Sequence, residues 1–321
     1  MSILKRPATT SQELFSAFRN RSYRFQFGSD LLNSWAFEME TLILGWFVLV
    51  TTDSPLLLAA FAALNFSGTL LSPFFGVLAD RIDRRTLLII LRGIYATLAG
   101  VILLLALLGS VEPWQIFVIS GISGLVRPSD FAVKFALIAD TVATKDLRNA
   151  IGFSRTTMDS ARIFGALLGA GLFSTLGIGA AYGAVVGLYV VCVLLAFKIP
   201  PGRSRTAEHT RPWTELVSGF AYIRRNSTLL AIMALAFLAN FTGFPIVRGL
   251  LPALARDIYG LDENGLAVLI ALLAVGALLG SLLTATLIGA RLPGRMMVIW
   301  ILIWHVLFII SGLFSSAISA P

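Results

Sequence analysis

The sequence predicts an all-α polytopic membrane protein, and three observations carry that prediction. Hydrophobic residues make up 57% of the 321-residue chain and charged residues 13%, with a mean hydropathy of +0.86, more apolar content than a soluble core of this length needs. The apolar residues arrive in nine runs of about 20 or more, each long enough to cross a bilayer as a helix. Basic residues gather at alternate ends of those runs. With successive loops assigned to opposite sides, 18 Lys and Arg fall on one side and a single one, Arg256, on the other, so the basic side is expected to be cytoplasmic. The net charge of +8 therefore sets topology, and no nucleic-acid partner is expected.

Before the first run, Lys5 and Arg6 are followed by no apolar core, so no removable signal peptide is expected. Residues 11–25 alternate Leu14, Phe15 and Phe18 with Arg19, Arg21 and Arg24, which suits a short helix in the inner headgroup region. Spans are then expected near 27–50, 55–79, 86–109, 114–138, 150–176, 179–198, 228–252, 265–290 and 296–316. The long polar segment from Ile199 to about Ser227 opens with Pro200-Pro201-Gly202. It divides the chain into an N-terminal six-helix half (1–198), a cytoplasmic linker (199–227) and a partial C-terminal half of about three helices (228–321). Within the linker Trp213, Leu216, Val217, Phe220 and Ile223 recur at helical spacing before Arg224 and Arg225, so part of it is expected to lie flat on the membrane; a disordered linker is the alternative.

An internal repeat supports the division. A shift of 210 residues lays Arg81 on Arg291, Arg85 on Arg295, Asp30 on Asn240 and Glu38 on Arg248, a degenerate parallel repeat of the kind transporters are built from. Three spans follow the linker where six precede it. The chain is therefore expected either to be C-terminally truncated or to need further helices from a partner chain.

Ionisable residues inside apolar runs are costly unless paired or wetted, so they mark candidate sites. On the first span Asp30, Ser34, Glu38, Thr41 and Gly45 share a stripe, with Glu40 on another face. Glu38, near mid-depth, is read either as a substrate-binding or proton-titrating carboxylate or as a structural acid paired with an arginine of a neighbouring helix. The fourth span carries Arg127, Asp130 and Lys134 on one face, and the fifth carries Arg155, Asp159 and Arg162. Lys134, Asp140 and Arg155 suit a structural ion-pair network. Arg127 and Arg248 suit the cavity, one or the other is the expected alternating partner of Glu38, and Pro128 and Pro245 beside or near them permit kinks. Small residues at every fourth place in the fifth span, Gly165 and Gly169 among them, allow close helix contact. Cys192 is read as packing. His209 and His305 are too few and too far apart for a metal site, and no nucleophile motif or phosphate loop suggests an enzyme or a nucleotide cofactor.

Between the second and third spans the chain reads Gly76-Val77-Leu78-Ala79-Asp80-Arg81-Ile82-Asp83-Arg84-Arg85. This turn resembles the loop between helices 2 and 3 of the major facilitator superfamily, usually G-x-L-a-D-R-x-G-R-R, with Asp83 in place of the second glycine. The resemblance implies a major-facilitator-type helical bundle, six helices plus about three of the second six-helix half. It also implies that Gly76, Asp80, Arg81, Arg84 and Arg85 act as a cytoplasmic latch between halves, whose partner in the family lies on the eleventh helix. Gly165 and Gly169 are similar to two positions of the glycine motif of the family's antiporters. With Gly45-Trp46, Thr51 to Pro55, Asn149 to Ile151 and the Trp213–Arg225 segment, the chain looks like the branch that contains the enterobactin exporter and multidrug efflux permeases. The implied function is proton-driven export of a small amphipathic molecule (siderophore, drug or metabolite) across a bacterial inner membrane, with uptake symport and a transport-incompetent, truncated protein as alternatives. The implied energy source is an ion gradient, with no cofactor.

Overall fold

The computed structural model describes residues 15–71, 83–200, 221–286, 298–307 and 309–310. Among the described residues the chain is helical throughout, without strands. Polar turn residues start the helices by occupying the amide donors that a first turn leaves open. Asn20 accepts from Ser22 N–H to open α1 (Arg21–Thr52), and Ser54, followed by Pro55, accepts from Leu57 N–H to open α2 (Pro55–Phe66), which tightens into a 3-10 segment at Ser67–Leu71. Asp83 accepts from Thr86 N–H at 2.9 Å to open α3 (Arg84–Leu107). The residue that departs from the family pattern is thus the cap of the third helix. The helix α4 (Pro113–Thr141) follows, with Gln115 Oε1 accepting from Glu112 N–H.

The next stretch is α5 (Leu147–Ser160), a π segment (Ala161–Gly165) and α6 (Ala166–Phe197). Helical hydrogen bonding is broken in direction at Gly177, whose φ of 78° and ψ of 177° lie where a side chain would be strained. The contacts on α1 show that the chain reverses there. Gly165 and Gly169 pack against Trp35 and Met39, ascending together, whereas Tyr189, Cys192 and Leu195 meet Glu40, Ser29 and Gly28, descending. The fifth and sixth expected spans are therefore the two arms of one hairpin around α1.

After the linker come α7 (Ser227–Phe244), capped by Asn226, a π segment (Pro245–Leu250), the short helix Leu251–Ala253 and a second π segment (Leu254–Ile258). Then follow α8 (Glu263–Thr286), whose cap Asp262 accepts from Gly265 N–H at 2.8 Å, and α9 (Val298–Leu307). That hydrogen bond holds the exposed Asp262 carboxyl below its usual pKa. Six helical stretches among the described residues are long and apolar enough to span a membrane, and two shorter apolar helices, Pro55–Thr69 and Val298–Leu307, lie at two of the other expected spans. The molecule is a multi-pass membrane protein.

The helix α1 is the axis of the N-terminal half. Its Ala36, Met39, Ile43 and Leu44 share one buried cluster with Ile102, Tyr182, Val185 and Tyr189. Its first turns differ from the expected interfacial helix. A 3-10 turn at Ser16–Arg19 packs Phe18 against Tyr23, Phe27 and Phe153, and the residues from Arg21 onward belong to the long helix itself. One end of the bundle is basic, where Arg84 pairs with Asp140 at 2.6 Å and Arg85 donates to Phe197 O at 2.7 Å. At the opposite end the halves are clasped. Arg256 donates to Asp53 at 2.7 Å and to Leu49 O at 3.0 Å, and Ser174 bonds Asn264 at 3.2 Å.

Candidate functional site

Among the described residues three polar clusters lie within the apolar bundle, and one of these spans both halves. That one surrounds Glu38. Arg248 Nη1 donates to both carboxylate oxygens, at 3.1 and 3.2 Å, and Arg162 Nε stands 3.9 Å away. Arg162 also pairs with Asp159 at 3.5 Å, and Asp159 with Arg155 at 3.9 Å, the two pairings that their spacing on one face allows. Glu38 and Arg248 are 210 positions apart, so residues that the repeat makes equivalent meet face to face where the halves join. Both arginines stand on π segments, Arg162 in Ala161–Gly165 and Arg248 in Pro245–Leu250. The first is seated against α1 by Gly165, where a Cβ would lie 3.0 Å from Trp35 O and 3.2 Å from Glu38 Cβ. A glycine there lets the backbones close enough for Arg162 to reach Glu38.

This cluster opens onto a cavity of about 460 Å³ between the halves. Its walls are mainly apolar and aromatic, with Leu58, Phe61, Phe244, Ile270 and Trp304 among them, and its polar groups include Glu38, Thr41, Arg162, Asn240 and Arg248. Concave, apolar sites with a few convergent polar groups are the usual form of small-molecule sites.

The second cluster is closed and lies inside the N-terminal half. Arg92, fully buried, donates to Asp30 and Ser29 and stands 3.7 Å from Asp130, while Lys134 is 3.8 Å from Asp30. Asn33 donates to Asp130 at 3.4 Å. Asp30 and Asp130 thus line a small pocket of about 50 Å³ beside the larger cavity rather than the cavity itself. The third cluster places Glu40, buried, against the phenols of Tyr189 at 3.0 Å and Tyr182 at 3.5 Å, on the other face of α1.

Of the residues expected to form a site, the structure brings together Glu38, Arg162, Asp159 and Arg248. Asp30 and Asp130 join a different group, gathered around Arg92, with Lys134 from the helix of Asp130 adding a second cation beside Asp30. Arg127, expected as an alternating partner of Glu38, instead lies over the ring of Phe37, flanked by Phe66 and Phe131, while the recorded ion pairs of Glu38 go to Arg162 and Arg248. Lys134, Asp140 and Arg155 are each ion-paired, to Asp30, Arg84 and Asp159. Arg84 and Arg85 hold the basic end, whereas Gly76, Asp80 and Arg81 lie outside the described residues. Sequence reasoning missed Arg92, although a charge directly after the five apolar residues Leu87 to Leu91 and inside an expected span was signal enough. It also missed the tyrosines around Glu40, for which spacing gave no signal. Cys192 is buried against Ser29, as packing requires. Among the described residues no group of three or more His, Cys, Asp or Glu could hold a metal.

A model of the Major Facilitator Superfamily matches residues 31–321. The enterobactin exporter EntS of Escherichia coli O139:H28 is 26% identical over 226 residues, 70% of this chain and 53% of that protein. A Bacillus subtilis protein described as the uncharacterized MFS-type transporter YfiS is 22% identical over 217 residues, 65% of this chain and 50% of that one. The chain spans about half the length of these curated relatives. Among solved structures, a bacterial homologue of the human lysosomal transporter Spinster, inward-facing and unoccupied, aligns with a TM-score of 0.61 at 16% identity over 83% of this chain and 63% of its own. The human organic anion transporter MFSD10 aligns with a TM-score of 0.54 at 16% identity over 79% and 69%.

Proposed function

The chain belongs to the Major Facilitator Superfamily, and from that premise we propose that it works as a secondary active transporter, exporting a small amphipathic molecule by alternating access. The observation that carries this reading is the Glu38–Arg248 pair. It joins repeat-related positions of the two halves at the wall of their shared cavity, so rocking one half against the other must make or break it. The clasp of Arg256 on Asp53 ties the halves together at the end opposite the basic side. By the basic asymmetry that side is the cytoplasm, with the N-terminus on it, and the membrane is a bacterial inner membrane, as the bacterial relatives suggest. A proton gradient drives the cycle, with Glu38 as the coupling carboxylate. The direction of transport rests on the resemblance to exporters and on the Gly165–Gly169 packing.

The test is transport by the reconstituted chain. Proteoliposomes holding a pH gradient should accumulate a naphthalene probe, 2-naphthoate or 2-naphthylmethylammonium, and a protonophore should abolish it. Glu38→Gln should remove the gradient-driven part while probe exchange at equal pH persists. A variant that still concentrates probe as well as its parent removes Glu38 from the coupling role. Topology is read separately: alkaline phosphatase fused after Pro321 should be active and in the 199–227 linker inactive, and the reverse pattern inverts the orientation.

A further inference from the structure

We propose that the cavity takes an amphipathic anion, an aromatic or other bulky apolar body carrying one carboxylate-like group, and that this group binds Arg162 and Arg248 by displacing the Glu38 carboxylate. The inference rests on the cavity being the substrate site. It deepens that reading by naming the charge of the ligand.

The charge balance at the cavity is the first argument. Its lining residues include two guanidinium groups and one carboxylate. Arg162 has a second acid, Asp159, which is not among the lining residues, and Arg127 lies behind Glu38 in the smaller pocket that Asp30 and Asp130 also line. On the cavity wall itself two arginines thus face one acid, and Glu40 directs its carboxylate away toward Tyr182 and Tyr189. An excess cation in a low-dielectric wall is unfavourable until an anion meets it. A cationic ligand would add to the excess, whereas an anion cancels it.

Donor geometry is the second. A guanidinium carries five N–H donors in a planar fork suited to carboxylates. Arg248 uses one nitrogen for both oxygens of Glu38, and the buried Nε of Arg162 has no hydrogen-bond partner. Thr41, three residues from Glu38 on the same stripe, also has a buried hydroxyl without a partner. The site therefore offers more donors than its single acceptor uses. Glu38 occupies the position that a ligand carboxylate would take, and the aromatic walls at Phe61, Phe244 and Trp304 would take the apolar body.

A matched pair of probes isolates charge: 2-naphthoate and 2-naphthylmethylammonium share one ring system and differ in sign. Scintillation proximity binding of each, tritiated, to the purified chain should show naphthoate at least tenfold tighter. Arg248→Gln and Arg162→Gln should each weaken naphthoate about tenfold and leave the ammonium probe unchanged, and Arg248→Lys should keep part of the preference. Glu38→Gln, which removes the competing carboxylate, should tighten naphthoate several-fold. Size-exclusion profiles and melting temperatures identify any variant that fails to fold; the Glu38 and Lys variants then carry the test. The proposal is overturned if the ammonium probe binds as well or better, if Glu38→Gln weakens naphthoate, if the preference survives loss of both arginines, or if neither probe binds at millimolar concentration. Binding is read without transport. Anion preference without gradient-driven uptake sinks the transporter reading and keeps this one, and uptake without anion preference does the reverse.

Discussion

The Asp30–Arg92 cluster and the Glu38–Arg248 cluster use the same chemistry for different ends. In the first, Arg92 is 0% exposed, every member lies within the N-terminal half, and Ser29 and Asn33 add hydrogen bonds to the charged groups. In the second, Arg248 is 20% exposed, the partners come from opposite halves, and the acceptor is shared between two arginines. A closed, buried network inside one rigid body costs several kcal/mol to break and so fixes helix positions. A partly exposed pair between two bodies at a cavity wall is cheaper to break than a fully buried one, which is what a contact made and lost on each cycle requires. Burial and the origin of the partners, rather than residue type, separate a rivet from a latch.

The strongest way to break that contrast is Arg92→Met. It strands Asp30 and Asp130 in the apolar interior and should destabilise the chain by about 3–5 kcal/mol, read as a large drop in melting temperature in detergent. A well-folded variant would show that the first cluster is no more structural than the second. Next is Gly165→Ala, which places a methyl against Trp35 O and Glu38 Cβ and should cost about 1–3 kcal/mol while pushing Arg162 away from Glu38. A variant of unchanged stability would mean that the π segment is not seated on α1. Third, a double-mutant cycle of Glu38→Gln and Arg248→Gln should return a coupling of about 1 kcal/mol or less together with the loss of gradient-driven transport. Coupling as large as the Arg92 effect would erase the distinction. The smallest effect should come from Asp159→Asn, below about 0.5 kcal/mol, because Arg155 is 69% exposed and Arg162 keeps Glu38.

Much of this arrangement was written locally in the chain. Apolar runs and polar turns gave the helices, and the expected gap between 176 and 179 is where Gly177 reverses the chain. The pairing of Glu38 with Arg248 was legible in part, since Arg248 was one of two cavity arginines expected to meet that carboxylate. Local reading stopped where counter-charges come from far along the chain. Asp30 meets Arg92 across 62 positions and Glu40 meets Tyr182 and Tyr189 across 142 and 149, distances at which spacing says nothing about contact. Arg127 lines the small pocket beside Glu38 without an ion pair to it among the described residues. Its neighbour across the helix contact is the face of Phe37, which satisfies a cation without announcing itself as a charge. Asp83 looked like a lost glycine of a turn, and its role as a helix cap became visible only with Thr86 N–H beside it.

Arg162, Arg248 and Arg256, the three arginines that reach α1 from the fifth and seventh spans, each stand on a π segment. A π turn holds one residue more than an α turn, and that surplus is slack in the winding. Passing it along the helix by a turn swivels the intervening side chains by about 100°, the angle of one residue, at the cost of re-pairing a few amides rather than unwinding the span. The arginines are therefore mounted on bearings. Each can turn toward or away from α1 while the helix that carries it keeps its length and its place in the membrane.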